Sequence, residues 1–221
     1  MSLHMRVRFD QELAELQEQV LVLGSRAGEA VARGVQALMD GDTDLAREVI
    51  ANDLAINDLR YAIEKSCYAM LAQEQPVAGD MRRIVAALTM VNDLERIGDH
   101  GKRIARICLR MEGAPRPFPF GDVGRLSELA LTMLDRAMRS LSSHDVAEAR
   151  AVCVDDDQVD ALYKQMFNVA LSHMLENSRA IAAGTYLIQV AHELERVGDR
   201  ATNIAERLIY ATTGELVDLN N

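Results

Sequence analysis

Two copies of one acidic pattern stand out in the sequence. Glu95 and Asp99 are four residues apart, and so are Glu195 and Asp199. On an α-helix, side chains at i and i+4 share a face, one turn apart. Two carboxylates so placed can accept hydrogen bonds from arginine or ligate a hard cation through oxygen. A second pair accompanies each: Asp53 with Asn57, and Asp156 with Asp160, the latter flanked by Asp155 and Asp157. If the helices that carry them pack together, each half of the chain assembles three or four oxygen ligands at one level. Such a set suits Mg, Mn, Ca or iron and is unlike the Cys/His sets of structural zinc. Arg96 and Arg196 recur inside the motif and offer the other means of neutralising it. Gly98 and Gly198 sit between the Arg and the Asp, where glycine costs a helix roughly 1 kcal/mol against alanine. They mark either a close helix crossing or backbone clearance beside the carboxylates.

Other chemistries are poorly served. No His follows a Glu by three residues, so the Glu-x-x-His pair of di-iron bundles is missing. There is no Gly-rich phosphate loop, no G-x-S-x-G elbow and no Cys/His pairing, so no catalytic nucleophile is proposed. Cys67, Cys108 and Cys153 are scattered, which fits buried thiols in a reducing cytosol better than a disulfide framework. The single histidines, His100, His144, His173 and His192, read as surface or capping residues, and the 11 Met as core filler.

The elements that must position these acids are helices. Ala, Leu, Val, Ile, Met, Glu and Arg dominate, aromatic residues make up 4%, and Trp is absent. That mix favours helix over a sandwich or barrel. The apolar spacing predicts six helices, over about Asp10–Met39, from after the N-cap candidates Asp42 and Thr43 to near Gln75-Pro76, and over Ala78–Arg110, Val123–Ser142, Asp145–Leu175 and Ser178–Thr213. The stripe Ile84, Leu88, Val91 leads onto Glu95, and the stripe through Leu187 and Val190 reaches Glu195. Both acids therefore lie near a seam between helices, where an unpaired carboxylate is costly. Three of the four Pro fall in Gly113-Ala-Pro-Arg-Pro-Phe-Pro-Phe-Gly121, which no helix can cross. The chain divides into a first three-helix bundle over 1–112, a Pro-rich linker over 113–121 and a second three-helix bundle over 122–221. Short turns require antiparallel neighbours, so the fold class is all-α, two tandem up-down-up bundles in an elongated six-helix protein.

The two bundles are related in sequence. Residues 91–106 align with 191–206 at an offset of 100, with seven of sixteen positions identical. At an offset of 103, Asp42, Ala46, Arg47, Val49, Asp53 and Leu59 match Asp145, Ala149, Arg150, Val152, Asp156 and Leu162. A tandem duplication of a three-helix unit explains both.

Charge narrows the partners. The net charge is −10, with 14 Lys/Arg against 18 Asp/Glu in residues 1–112 and a further acidic excess beyond. Neither half is basic, which argues against nucleic acid and against an anionic membrane surface. No run approaches 18 uncharged apolar residues and no signal peptide is evident, so we expect a cytoplasmic protein with no membrane insertion.

Leu94-Glu-Arg-Ile-Gly-Asp99 and Leu194-Glu-Arg-Val-Gly-Asp199, in a duplicated three-helix unit that starts Phe9-Asp-Gln-Glu-Leu, resemble the PhoU family of phosphate-signalling regulators. Asp42-x-Asp44-Leu-Ala and Gln75-Pro76-Val-Ala-x-Asp80-Met-Arg82 extend the resemblance to about residues 8–213. It implies a non-enzymatic negative regulator of phosphate uptake and of the starvation response. Such a protein links a phosphate ABC transporter, through its ATPase subunit, to a sensor histidine kinase, and forms a homodimer. It also implies a divalent or multinuclear metal, with iron, Mg, Mn and Zn as candidates. The motif positions fall on Glu95/Asp99, Glu195/Asp199, Asp156/Asp160 and Asp53/Asn57. Asn57 stands in place of a carboxylate, so weaker metal binding is expected in the first half. Two other readings of the same residues are a metal-dependent hydrolase of phosphate compounds and a metal-free interaction module whose acids pair with Arg.

Overall fold

The computed structural model describes residues 3–74, 76–113 and 121–219. They form α1 (Leu3–Asp40), α2 (Thr43–Glu74), α3 (Ala78–Arg110), α4 (Gly121–Ser143), α5 (Val146–Glu176) and α6 (Ile181–Thr213), with one 3-10 turn at Ser178–Ala180 before α6. No strand occurs among the described residues. The 33 residues of α3 span roughly 50 Å.

The turns between the first two helices of each bundle are built alike. Asp42 Oδ1 accepts from the backbone N–H of Asp44 (3.0 Å) and Leu45 (2.9 Å). Asp145 Oδ1 accepts from Ala147 (2.9 Å) and Glu148 (3.0 Å). Each satisfies donors that the first turn of a helix leaves unpaired. The residue before each cap is left-handed: Gly41 at φ 71 and His144 at φ 55. Gly214, at φ 82, ends α6 in the same way.

Helix bounds differ from the sequence reading where tertiary contacts decide them. α1 begins at Leu3 and not near Asp10. Phe9 is buried in the core, and Arg6 Nη1 lies 2.7 Å from Asp80 Oδ2 on α3, which ties this extra turn down. α4 begins at Gly121, and a 3-10 turn precedes α6. The three clustered Pro lie at 115–119, outside the described residues, so the linker expectation is not addressed there.

α1, α2 and α3 pack on one another, as do α4, α5 and α6. The two bundles then meet through α3 against α6 and α1 against α4, and one apolar cluster runs through both. Its fully buried members include Leu23, Ile63, Ile84, Leu94, Ile104, Leu126 and Leu134. Each such side chain contributes roughly 1.5–3 kcal/mol, so this core can carry a few unfavourably placed charges. α1 and α3 approach most closely at Gly34 and Gly101, where a Cβ on Gly34 would meet Gly101 O at 2.5 Å.

Polar contacts cross the α3–α6 seam at two places, with Arg103 joining the second at 3.4 Å from Glu193. Asp93 and Arg200 form one, and His100 and Glu193 the other. His100 corrects the reading of the histidines as surface or capping groups: only 2% of it is exposed. Its position between Ile97 and Ile104 on the buried face of α3 is the reason. Burial works to raise the Glu193 carboxyl, but the hydrogen bond with His100, its charge and Arg103 outweigh this and hold it below its ordinary range. Cys67 and Cys108 are buried, as expected, while Cys153 is half-buried. Burial, aided by Glu64, pushes the Cys67 thiol up to about 12, which leaves it unreactive.

Candidate functional site

The second repeat presents its four acids along the α5–α6 groove. Val152, Val159 and Leu162 anchor α5 in the core, and Leu194, Val197 and Ala201 anchor α6. Asp156, Asp160, Glu195 and Asp199 lie half-buried on the flanks of these stripes. Their charges act on one another. Burial first, then Asp199, Asp160 and Asp157, push the Asp156 carboxyl up to about 6. Burial and Asp199 raise Glu195, against the opposing pull of His192. Burial and Asp160 raise Asp199, against Arg196 and Arg200. Three neighbouring carboxyls, each raised above its ordinary range, mark a centre short of positive charge.

The counter-charges in this repeat are peripheral. Lys164 Nζ reaches Asp160 Oδ2 at 2.8 Å but is 69% exposed. His192 Nδ1 stands 3.3 Å from Glu195 Oε2 without hydrogen-bond geometry, so that buried oxygen has no hydrogen-bond partner. Arg136 takes Asp155 and Glu148, which leaves those acids to a structural role and raises the guanidinium still further. Gly198 gives α5 its close approach: a Cβ there would meet Asp156 Oδ1 at 3.3 Å and Met133 Sδ at 3.4 Å.

The first repeat brings Asp53, Asn57, Glu95 and Asp99 together on α2 and α3, but the environment differs. Lys102 Nζ is bonded to Asp53 Oδ2 and lies 3.6 Å from Asp99 Oδ1. Arg103 Nη2 adds a contact of 3.9 Å to Asp99. Asn57 Nδ2 donates to Asp53 Oδ2 and to the Asp53 carbonyl, both at 3.1 Å. Glu95 is raised, by burial first and then by Asp99, and is relieved by Arg60 and Arg96. Gly98 faces apolar neighbours, with a Cβ there meeting Ile56 Cδ1 at 2.9 Å. The two glycines therefore divide the alternatives: Gly98 serves helix packing, and Gly198 lies against a carboxylate.

Among the described residues, no group of three or more His, Cys, Asp or Glu side chains is drawn together closely enough to hold a metal ion. The acids converge as interacting charges, and several turn toward cations of the chain itself. Sequence reasoning does not single out Lys102, Arg60, Lys164 or Tyr163, and it reads His192 as a surface residue, which it is, without its place beside Glu195. The internal alignment held the signal for most of them. Offset 103 places Arg60 opposite Tyr163, and offset 100 places Asn92 opposite His192. Arg60 Nη1 donates to Asn92 Oδ1 at 3.1 Å, and the rings of Tyr163 and His192 lie 6.1 Å apart. Equivalent positions thus meet in both repeats with different chemistry. Arg96 is exposed and Arg196 half-buried, each within charge range of its neighbouring Glu.

Duplicated three-helix units with ERxGD acids on their third helices define a class, and comparison with known proteins identifies it. The PhoU domain family model matches residues 20–108 and 123–208. A phosphate-specific transport system accessory protein PhoU homolog of Rhizobium meliloti is 36% identical over 213 residues, covering 96% of this chain and 90% of that protein. The crystal structure of the phosphate transport system regulatory protein PhoU from Streptococcus pneumoniae superposes with a TM-score of 0.89 at 32% identity, covering 95% of this chain and 99% of that one. PhoU from Pseudomonas aeruginosa gives 0.90 at 33%, covering 94% and 100%. The chain belongs to the PhoU family, and the duplication read from its sequence corresponds to two PhoU domains. No helix among the described residues is long and apolar enough to cross a membrane.

Proposed function

We propose that this chain is a non-enzymatic, cytoplasmic regulator of phosphate homeostasis. It is a metal-binding adaptor that links the ATPase subunit of a phosphate ABC transporter to a sensor histidine kinase, and it represses uptake and the starvation response. The observation that carries this reading is full-length similarity to proteins named as accessory or regulatory components of phosphate transport. A homodimer is the assembly we expect.

The second-repeat residues supply donors of the kind a hard cation takes, and they would have to close around it on binding. Asp156, Asp160, Glu195 and Asp199 are an all-oxygen set, their carboxyls are short of counter-charge, and Glu195 Oε2 is buried without a hydrogen bond. Iron, Mg and Mn suit that donor set better than Zn. A bound cation would turn an acidic groove into a surface that attracts phosphate or partner carboxylates. The protein's own part is to hold the acids on two rigid helices. Regulation requires tighter contact with one state of a partner than with the other.

The test is capture of the transporter ATPase subunit by the wild type and by Glu195→Ala/Asp199→Ala. We expect the variant to lose capture and target-gene repression. Unchanged capture and repression would remove the acidic groove from the mechanism, and turnover of phosphoesters or polyphosphate by metal-loaded protein would overturn the non-enzymatic reading.

A further inference from the structure

We propose that Lys102 is a built-in cation that closes the first-repeat carboxylate cluster, so that this chain takes up metal in its second repeat alone. The inference rests on the metal-binding reading above and changes it from two centres to one.

Three differences between equivalent positions point the same way. Lys102 stands where the second repeat has Thr202, Arg60 where it has Tyr163, and Asn57 where it has Asp160. Each makes the first cluster less negative or more positive. Lys102 is the decisive member by position. Its ammonium bridges from α3 to Asp53 on α2 while staying 3.6 Å from Asp99 on its own helix. It therefore touches one carboxylate from each helix, which is the place a bridging cation would take. Its side chain is 19% exposed and that of Asp53 is 9% exposed, so the contact is largely screened from water. Asn57 turns its amide nitrogen, a donor, toward Asp53 Oδ2 at 3.1 Å. A donor aimed into the cluster repels a cation, as does the ammonium. Thr202, in contrast, is fully buried and its hydroxyl turns back to the Gly198 carbonyl, leaving Asp156 and Asp199 without an equivalent partner.

The closing experiment isolates the first repeat in the full-length chain. Asp156→Asn/Asp199→Asn disables the second cluster, and Lys102→Met or Lys102→Thr is added to it. Thr is the residue the other repeat accommodates at this position. Chelator-stripped proteins are equilibrated with Mn2+, bound manganese per chain is measured by elemental analysis, and melting is followed with and without the ion. With Lys102 present, the disabled chain is expected to bind no manganese and to show no melting shift. Removing Lys102 is expected to raise first-repeat affinity on the order of tenfold or more and to restore a manganese-dependent rise in Tm. Manganese bound to the disabled chain with Lys102 in place would overturn the inference, and so would no gain in both Lys102 variants. If the wild type itself binds no manganese, the metal-binding reading fails, while the comparison with and without Lys102 still decides the role of the ammonium.

Discussion

Arg200 Nη1 lies 2.8 Å from Asp93 Oδ1, and the internal offset of 100 carries this pair onto His100 and Glu193, which meet at 2.5 Å. The α3–α6 seam is thus bolted twice by equivalent positions of the two repeats, each supplying one base and one acid. The Asp93 and Arg200 side chains are 11% and 22% exposed, so loss of one partner strands a poorly solvated charge. We expect Arg200→Met to destabilise the chain by about 1–3 kcal/mol, and a double-mutant cycle with Asp93→Asn to give a coupling of about 1 kcal/mol or more in urea denaturation. A coupling near zero would show that the pair is a bystander of the apolar seam.

Gly101 should tolerate no side chain. A Cβ there would meet the Ala30 carbonyl carbon at 2.5 Å, and that backbone cannot move without shifting α1. Gly101→Ala is expected to cost about 2–3 kcal/mol despite its better helix propensity. Ala201 fills the equivalent place in the second repeat, so Ala201→Gly should cost only about 1 kcal/mol. Thermal melts of the two variants check the contrast.

His144 and Gly41 make an opposite pair. Both are left-handed, and only glycine adopts that conformation without steric cost. His144→Gly should stabilise the chain by about 1 kcal/mol, whereas Gly41→Ala should destabilise it by a similar amount. Equal melting temperatures for His144→Gly and the wild type would show that the imidazole makes a compensating contact.

The second cluster should make the metal-free chain sensitive to pH in an unusual direction. Asp156 titrates at about 6 in the folded chain against 3.8 ordinarily, so the folded state binds the proton more tightly than the unfolded state. The stability this provides is complete below the unfolded value and is lost as pH rises through about 6. With chelator present, Asp156→Asn should therefore raise Tm at about pH 7.5 and change it little at about pH 5, where the wild type is already largely protonated at this site. A variant that melts lower than wild type at both pH values would refute the repulsion.

The same protons compete with a cation. Manganese affinity of the wild type should fall as pH drops below about 6, because metal binding must release the proton from Asp156. Isothermal titration in buffers of different ionisation enthalpy would detect that proton. Binding with no proton release would place the ion elsewhere.

Much of this molecule is legible in its sequence because its helices carry strong periodic stripes. The expected bounds of α3, Ala78 to Arg110, are those found, and both Asp caps sit at positions that the internal alignment pairs. The start of α1 was hidden because it depends on Phe9 finding the core and on Arg6 finding Asp80, neither of which is a local signal. The site was legible as a set of acids but not as a balance of charge. Glu95 and Asp99 repeat visibly as Glu195 and Asp199, and Arg96 as Arg196, whereas Lys102, Arg60 and Lys164 have no counterpart in the other repeat. Asn57 is legible because it interrupts a pattern. Lys102 escaped because a lysine three residues after an aspartate reads as an ordinary solvated helix neighbour, and only the fold shows its reach to α2.

Asp99 and Asp199 are each followed at once by a residue of the α3–α6 seam, His100 and Arg200. A rigid rod cannot rotate one of these side chains without sweeping the other. A turn of α3 or α6 about its own axis would therefore carry an acid of one bundle and a residue of the shared seam together.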